Sequence, residues 1–401
     1  MKKIVIIGAG FAGMYSALAA ARLRDSVTAE SDLEIIVVAP EAILNVRPRL
    51  YEDDPLHMGA PLEELFEVSG VRFVEGFVRT ISSTEPTISV EQTDSKILTL
   101  RYDRLILAAG SRVVHPPIPG LSEHAFSVDQ RDEADELWQH VSQLASRPSS
   151  PERDTVVIAG GGFTGIETAA ELPHRMRSVL GDSDKVRVVV VERANVIGPD
   201  LGPGPRLVIE EALRSLGVEL VLGKAVTSVD ATCVTLDDGT RIPSATVIWT
   251  GGLRATPLTE QIDAPRDALG RLMVERDLRV PGNPAIFATG DAACAATDDL
   301  GNQTLMSCQH AMPLGRFAGH NAAADLLDQP TMPYTQERYV TCLDLGPWGA
   351  AFCEGWDRKV IVHGPEAKKL KQQINSVLIY PPKAERAAAL AAARPGIAVD
   401  A

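Results

Sequence analysis

Two glycine-rich turns constrain this chain more than any other feature. "IVIIGAGFAG" (4–13) and "TVVIAGGGFTGIE" (155–167) each pass from a short apolar run through a glycine cluster into a helical pattern. A single G-x-G-x-x-G is weak evidence. Two copies in the same strand–turn–helix context specify an α/β chain with two dinucleotide-binding units. Glycines permit a tight turn whose backbone N–H groups approach a pyrophosphate, and the following helix presents its N-terminus to that negative charge.

The first unit reads as a strand over 4–7, a turn of Gly8, Gly10, Ala12 and Gly13, a helix to about Arg24 and a second strand over 33–39. The other reads as a strand over 155–159, a turn of Gly160, Gly162, Phe163, Thr164 and Gly165, a helix, and a strand over 186–192 that ends in Glu192. The units also close alike. "RLILAAGS" (104–111) and "ATVIWTGG" (245–252) are buried-type strands that finish in Ala109–Gly110 and Gly251–Gly252. Small residues of that kind stand where backbone lies close to a ligand. A further strand, "AIFATGDAA" (285–293), runs into Gly290–Asp291.

The simplest topology nests one Rossmann-like domain in the other. The outer domain spans 1–111 and 253–325, the inserted one 112–252, and a small α+β segment fills 326–401. Pro and Ser at 147–154 mark the approach to the insert's first strand. A helix over 206–216 stops at Gly217, and a hairpin turns at Asp237–Asp238–Gly239. "VRFVEGFV" (71–78) reads as one strand, and the Ala-rich stretch from Ala384 as a frayed or disordered tail.

Composition removes several function classes. A net charge of -14 over 401 residues argues against a nucleic-acid partner, which needs basic faces to release counterions. Only four apolar residues precede the first glycines, too few for a signal peptide's apolar region, and no run approaches a membrane span. The five cysteines form no CxxC pair and no metal-ligand spacing, so no metal is expected and a reducing, cytoplasmic setting is.

Taken together, "GAGFAG", "LAAGS", "GGGFTGIETAAEL", "WTGG" and "ATGDAA" resemble the two-dinucleotide-binding-domain flavoproteins, and most closely the type II NADH dehydrogenases and their soluble relatives. The resemblance covers about 1–325 and thins beyond. It implies FAD on the outer domain and NAD(P)H on the inserted one, with a hydride passing to the flavin and electrons on to a quinone. By the same resemblance Gly8, Gly10, Ala12 and Gly13 cradle the FAD pyrophosphate beside Ala109–Gly110. Val78 meets the adenine, Gly290–Asp291 the ribityl and pyrophosphate region, and Arg47 the phosphates. Gly160, Gly162, Phe163, Thr164, Gly165, Gly251 and Gly252 receive NAD(P)H, with Glu192 on the ribose hydroxyls, which favours NADH; the adjacent Arg193 is a route to NADPH. Asp291 has an alternative reading as a helix cap, and Arg47 as a solvated surface arginine.

Two departures stand out. The strand-end acid of the first unit is missing, the position being Ala39, which leaves the ribose to Glu41 two residues on or to water and backbone alone. The family's AQxAxQQ stretch reads Cys308–Gln309–His310–Ala311–Met312–Pro313–Leu314. Gln309 and Ala311 are expected to line the flavin, while both later Gln positions are lost. Glu167 carries two readings, a proton relay at the flavin–nicotinamide junction and the acid of a Thr164-x-x-Glu167 capping box. A stripe of Leu370, Ile374, Val377 and Leu378 behind Lys368, Lys369 and Lys371 reads either as peripheral membrane contact through 368–380, on the cytoplasmic face, or as core packing. Beside the quinone reading stand a soluble acceptor (an iron–sulfur protein, a small molecule or oxygen) and a nucleotide-responsive sensor like the apoptosis-inducing-factor relatives. A homodimer is a further possibility.

Overall fold

The computed structural model describes residues 1–27, 33–181 and 185–397. Two parallel sheets carry the architecture. The larger has six strands in the order Arg279–Val280, Asn283–Ala288, Arg104–Leu107, Lys2–Ile7, Leu33–Ala39, Arg72–Glu75, parallel except at the Arg279–Val280 edge. The second has five parallel strands, Ala125–Phe126, Thr246–Trp249, Thr155–Ala159, Arg187–Glu192 and Val218–Leu222. Each sheet is covered on both faces, which is why its central strands carry unbroken apolar runs. Ile4 and Ile6 face one core and Val5 and Ile7 the other; Val156 and Ile158 divide from Val157 and Ala159 in the same way.

The internal duplication extends past the turns. Each unit adds a three-stranded antiparallel meander, Phe77–Ser82 with Thr87–Glu91 and Ile97–Arg101 in one, Val226–Asp230 with Cys233–Leu236 and Arg241–Pro243 in the other. Helix Arg206–Leu216 ends at Gly217 in the left-handed conformation, as its sequence indicates. Helix Cys308–Leu326 crosses helix Phe11–Val27 so closely that a Cβ on Gly315 or Gly319 would lie 2.3 Å from the Ala12 carbonyl oxygen or 2.0 Å from that of Ser16.

The structure departs from the sequence reading at three places. The stretch 71–78 is two strands, Arg72–Glu75 and Phe77–Ser82, because Gly76 adopts φ 150° and turns the chain from the parallel sheet into the meander. The Ala-rich tail is ordered through helix Arg386–Ala392, with Ala389 and Ala393 fully buried and Arg386 bonded to the Val68 carbonyl and to Asp25. Alanine there is a packing residue. Residues 398–401 of that tail lie outside the described residues. Third, no capping box forms: Gly162 is the N-cap of helix Phe163–Leu180, without a side-chain cap, so Thr164 already lies inside the helix.

The C-terminal segment forms an antiparallel sheet, Val340–Asp344, Ala350–Glu354 and Lys359–Gly364, followed by helix Pro365–Gln373 and a π turn over Ile374–Leu378. Its buried positions are Ala367, Lys371 and Asn375, spaced by four, so the face turned inward is partly polar. Of the expected apolar stripe, Val377 is 62% exposed, while Ile374 packs against the core. Two of the three lysines also turn inward. Among the described residues no helix is long and apolar enough to cross a membrane.

Candidate active site

The two glycine turns share their backbone conformation and their tightest contact. Gly8 adopts φ 109° and Gly160 φ 122°, conformations that L side chains rarely enter. A Cβ on Gly13 would lie 1.9 Å from the Gly8 carbonyl oxygen, and one on Gly165 the same 1.9 Å from that of Gly160. The third glycine of each motif therefore lets the helix start against its own turn. The middle ones differ, since a Cβ on Gly10 or Gly162 would meet nothing within 4 Å. Both line one cavity of about 1780 Å³. That is roomier than the about 300–1,000 Å³ of an ordinary small-ligand pocket.

Sixteen of the expected contacts share this cavity wall: Gly8, Gly10, Ala12, Arg47, Val78, Ala109, Gly110, Gly290, Asp291, Gln309, Ala311, Gly162, Phe163, Thr164, Glu167 and Gly252. Gly13, Gly160, Gly165, Gly251 and Glu192 stand behind it. Glu192, 7% exposed, accepts hydrogen bonds from the Gly161 N–H at 2.7 Å and the Ala194 N–H at 2.8 Å. The acid at the end of the strand thus fixes the turn beside it. At Ala39 the first unit has no such side chain. Glu41 lines the cavity instead, its carboxylate bonded to Arg131 at 2.7 Å, and Arg131 comes from the helix Arg131–Gln143 of the second unit.

Arg47 is neither solvated nor free. It pairs with Asp129, lies 3.6 Å from Asp291 and donates to the Ser111 hydroxyl at 3.2 Å. Asp291 accepts from Ser111 at 2.5 Å, and the 3-10 turn Gly290–Ala292 has no side-chain cap, so Asp291 is a member of the wall and not a helix cap. Gln309, with its amide oxygen toward the Val340 N–H at 3.0 Å and its nitrogen toward the Val340 carbonyl, ties helix Cys308–Leu326 to the C-terminal sheet. Pro313 lies outside the cavity wall and Leu314 is fully buried in the core. His310 is buried and stacked on Tyr339 at 5.4 Å; burial pushes its imidazole down to about 4, which removes it as a proton donor at neutral pH.

The most unusual chemistry surrounds Glu167. Its Oε1 accepts from the Lys371 ammonium at 2.9 Å and from the Asp344 N–H at 2.9 Å, and both side chains are almost fully buried. Burial raises the Glu167 carboxyl from 4.5 to about 7, against the opposing pull of Lys371. For Lys371, burial works against the charge, but Glu167 outweighs it and its pKa rises. Lys368 bonds Asp344 at 2.6 Å, and the Tyr51 hydroxyl donates to Asp344 at 3.1 Å. Burial, with Glu167 and Asp344 beyond it, holds the Tyr51 phenol well above its ordinary value. A carboxyl poised near neutrality in a water-poor cavity wall is suited to accepting and releasing a proton.

Lys371, Asp344, Asn375 and Arg131 were not legible as site residues. In sequence Lys371 belongs to a basic cluster that looks solvated, and its partner is 204 residues away. Cys308 and Cys342 also line the cavity, but burial raises their thiols to about 11 and about 12, which leaves them protonated and unreactive.

Sequence comparison agrees with this geometry. Residues 2–315 match the family model described as pyridine nucleotide-disulphide oxidoreductase. An NADH dehydrogenase-like protein of Mycobacterium tuberculosis is 44% identical over 401 residues, covering 99% of each chain. A demethylphylloquinone reductase of Synechocystis is 29% identical over 359 residues, covering 87% of this chain and 85% of its own. NDH2 of Plasmodium falciparum, solved in complex with NADH, superposes with a TM-score of 0.78 at 15% identity, covering 98% of this chain and 97% of its own, a likeness of fold. With two crowded glycine turns opening on one cavity and a family match across both, the chain belongs to the pyridine nucleotide-disulphide oxidoreductase family, an oxidoreductase that works with FAD and NAD(P)H.

Proposed function

We propose that this chain oxidises NADH, with NADPH the poorer reductant, and passes the electrons to a quinone. The observation that carries the reading is the continuity of the cavity. It runs from the first glycine turn past Gly162, Phe163 and Glu167 to Cys308, Met312, Ile374, Leu378 and Ile379. FAD, for which Gly8, Gly10, Ala109, Gly110 and Asp291 provide the cradle, supplies a ring able to take up a hydride and release electrons to a second substrate.

The protein's part is positioning, exclusion of water and proton handling. Gly162 leaves the start of helix Phe163–Leu180 open toward the cavity, where a pyrophosphate gains from the helix dipole. Glu192, 7% exposed and held by two N–H groups behind the wall, puts a negative charge at the strand end, which favours NADH by repelling a 2′-phosphate. The apolar side chains at the far end suit a flat, apolar acceptor and keep water out. Glu167 holds a proton at its carboxyl near neutral pH, and Lys371 stabilises the carboxylate left when that proton departs. The Synechocystis relative, named as a demethylphylloquinone reductase, supports a quinone as acceptor.

A soluble acceptor is the second reading, favoured by one observation. Lys368 and Lys371 of the basic cluster face carboxylates within the protein, which removes much of the cationic surface a membrane site would use. Anaerobic rapid mixing with NADH, then NADPH, then a short-chain quinone separates the cases. Loss of flavin absorbance within seconds and its recovery on adding quinone is the expected result. Slow loss rejects both readings, and fast loss without recovery rejects the quinone alone.

A further inference from the structure

Seven arginines line the cavity, and four of them are already neutralised: Arg47 by Asp129 and Asp291, Arg79 by Glu91, Arg131 by Glu41 and Arg271 by Asp267. Arg112, Arg193 and Arg358 have no carboxylate partner among the described residues. Arg112 and Arg193 are exposed, so water solvates them. Arg358 is partly buried; its guanidinium bonds the Tyr339 side chain, but its Nε is buried with no hydrogen-bond partner. A buried guanidinium nitrogen left without an acceptor is costly, and such groups call for an explanation.

The surroundings of Arg358 hold it in place. It sits on the turn between strands Ala350–Glu354 and Lys359–Gly364, at φ 51°, a left-handed conformation uncommon for any residue but glycine. Its guanidinium lies 5.5 Å from the Tyr339 ring centre, and Tyr339 stacks on Trp356 at 4.5 Å and on His310 at 5.4 Å. The loop that follows Glu192 closes on it from the other side. A Cβ on Gly204 would lie 2.3 Å from the Arg358 carbonyl oxygen, and one on Gly202 would lie 4.0 Å from its Nη1. That same loop is bonded to the second glycine turn, Gly198 N–H to the Gly161 carbonyl at 2.9 Å. A fixed cation from the C-terminal hairpin, without a carboxylate partner among the described residues, therefore stands on the nicotinamide-nucleotide side of the cavity.

We propose that Arg358 binds a phosphate group of the pyridine dinucleotide, so that the C-terminal segment completes the nucleotide site of the second unit. The Nη edge of the planar guanidinium offers N–H donors to phosphate oxygens, and a phosphate supplies the negative charge that no carboxylate of the described residues gives. This inference rests on the NAD(P)H reading above. It assigns Arg358 a binding role and no part in the chemical step.

The test is calorimetric titration of the FAD-loaded protein with NAD⁺ and with NADP⁺, comparing wild type with Arg358→Gln and Arg358→Lys. Arg358→Gln is expected to weaken binding about 10- to 100-fold, as for loss of a charged hydrogen-bonded contact. Arg358→Lys, which retains charge without the planar fork, is expected to fall between. Flavin content and melting temperature should be unchanged, which separates a lost contact from a disturbed turn. Equal weakening for both nucleotides places the contact at the shared pyrophosphate, and weakening for NADP⁺ alone places it at the 2′-phosphate. Dissociation constants within two-fold of wild type for both, or a change confined to the acceptor's KM, overturn the proposal. Failure of the wild-type protein to bind either nucleotide overturns the functional reading on which it stands.

Discussion

The two nucleotide units begin with the same turn and complete it differently. In the second, Glu192 folds its carboxylate onto the Gly161 N–H, so the strand end and the turn support each other from within one unit. In the first, Ala39 leaves that place without a carboxylate, and Glu41 is steadied by Arg131 from the other unit. The second unit in turn receives Lys371 and Arg358 from the C-terminal segment. The glycine turns are thus local and self-sufficient, whereas the walls around them are shared. A duplicated fold does not carry a duplicated site.

The largest effect is expected at the crowded glycines. Gly13→Ala and Gly165→Ala each place a methyl 1.9 Å from a carbonyl oxygen, so the helix must move off its turn. Each should cost about 3 kcal/mol or more, in the range of severe overpacking, and thermal melts will report it. Gly10→Ala and Gly162→Ala break the symmetry in the opposite sense. With nothing within 4 Å of the new Cβ, stability should hold while FAD retention falls in the first and nucleotide binding in the second. If the two pairs lose stability equally, the distinction between packing glycines and ligand glycines is wrong.

Next comes the link between the second unit and the C-terminal segment. Lys371→Met removes the counter-charge that holds the Glu167 pKa down, so the buried carboxyl takes up a proton and the loss in denaturant titration should stay below the about 3–5 kcal/mol of an uncompensated buried charge. Glu167→Gln tests the pH dependence. Because the folded-state pKa is raised, the folded protein holds this proton more tightly than the unfolded chain. The stability it contributes is complete below about 4.5 and is lost as pH rises through about 7. The wild-type stability should therefore fall across that window relative to Glu167→Gln, and parallel curves would contradict the assignment. If the carboxyl also serves turnover, the variant's rate falls too.

Smaller still is Glu192→Ala, which frees two backbone N–H groups and should cost about 1–3 kcal/mol together with a weakened preference for NADH over NADPH. Smallest is Glu41→Ala. Its side chain is 58% exposed, so the Arg131 pair should add about 0–1 kcal/mol to stability, and its loss should show chiefly as faster FAD release. A Glu192 effect no larger than that of Glu41 would mean that the two units hold their nucleotides in the same way after all.

The residues that could be read in advance share one property: their reasons lie within a few positions of themselves. Gly13 is glycine because Gly8 stands five residues before it, Gly165 because of Gly160, and Gly217 because a helix ends there. That Ile4 and Ile6 face one core while Val5 and Ile7 face the other follows from strand geometry alone. From such local rules the amino-acid sequence determined two nested α/β units and the glycine turns that open both. Only the tertiary structure decided what faces them. A lysine among lysines looks the same in sequence whether it is solvated or buried, and Lys371 became an internal counter-ion because the fold set it against Glu167. An acid in a helix's first turns looks like a cap until its N-cap proves to be Gly162. Electrostatic partners act through space and carry no sequence spacing, so that half of the site was decided by the fold.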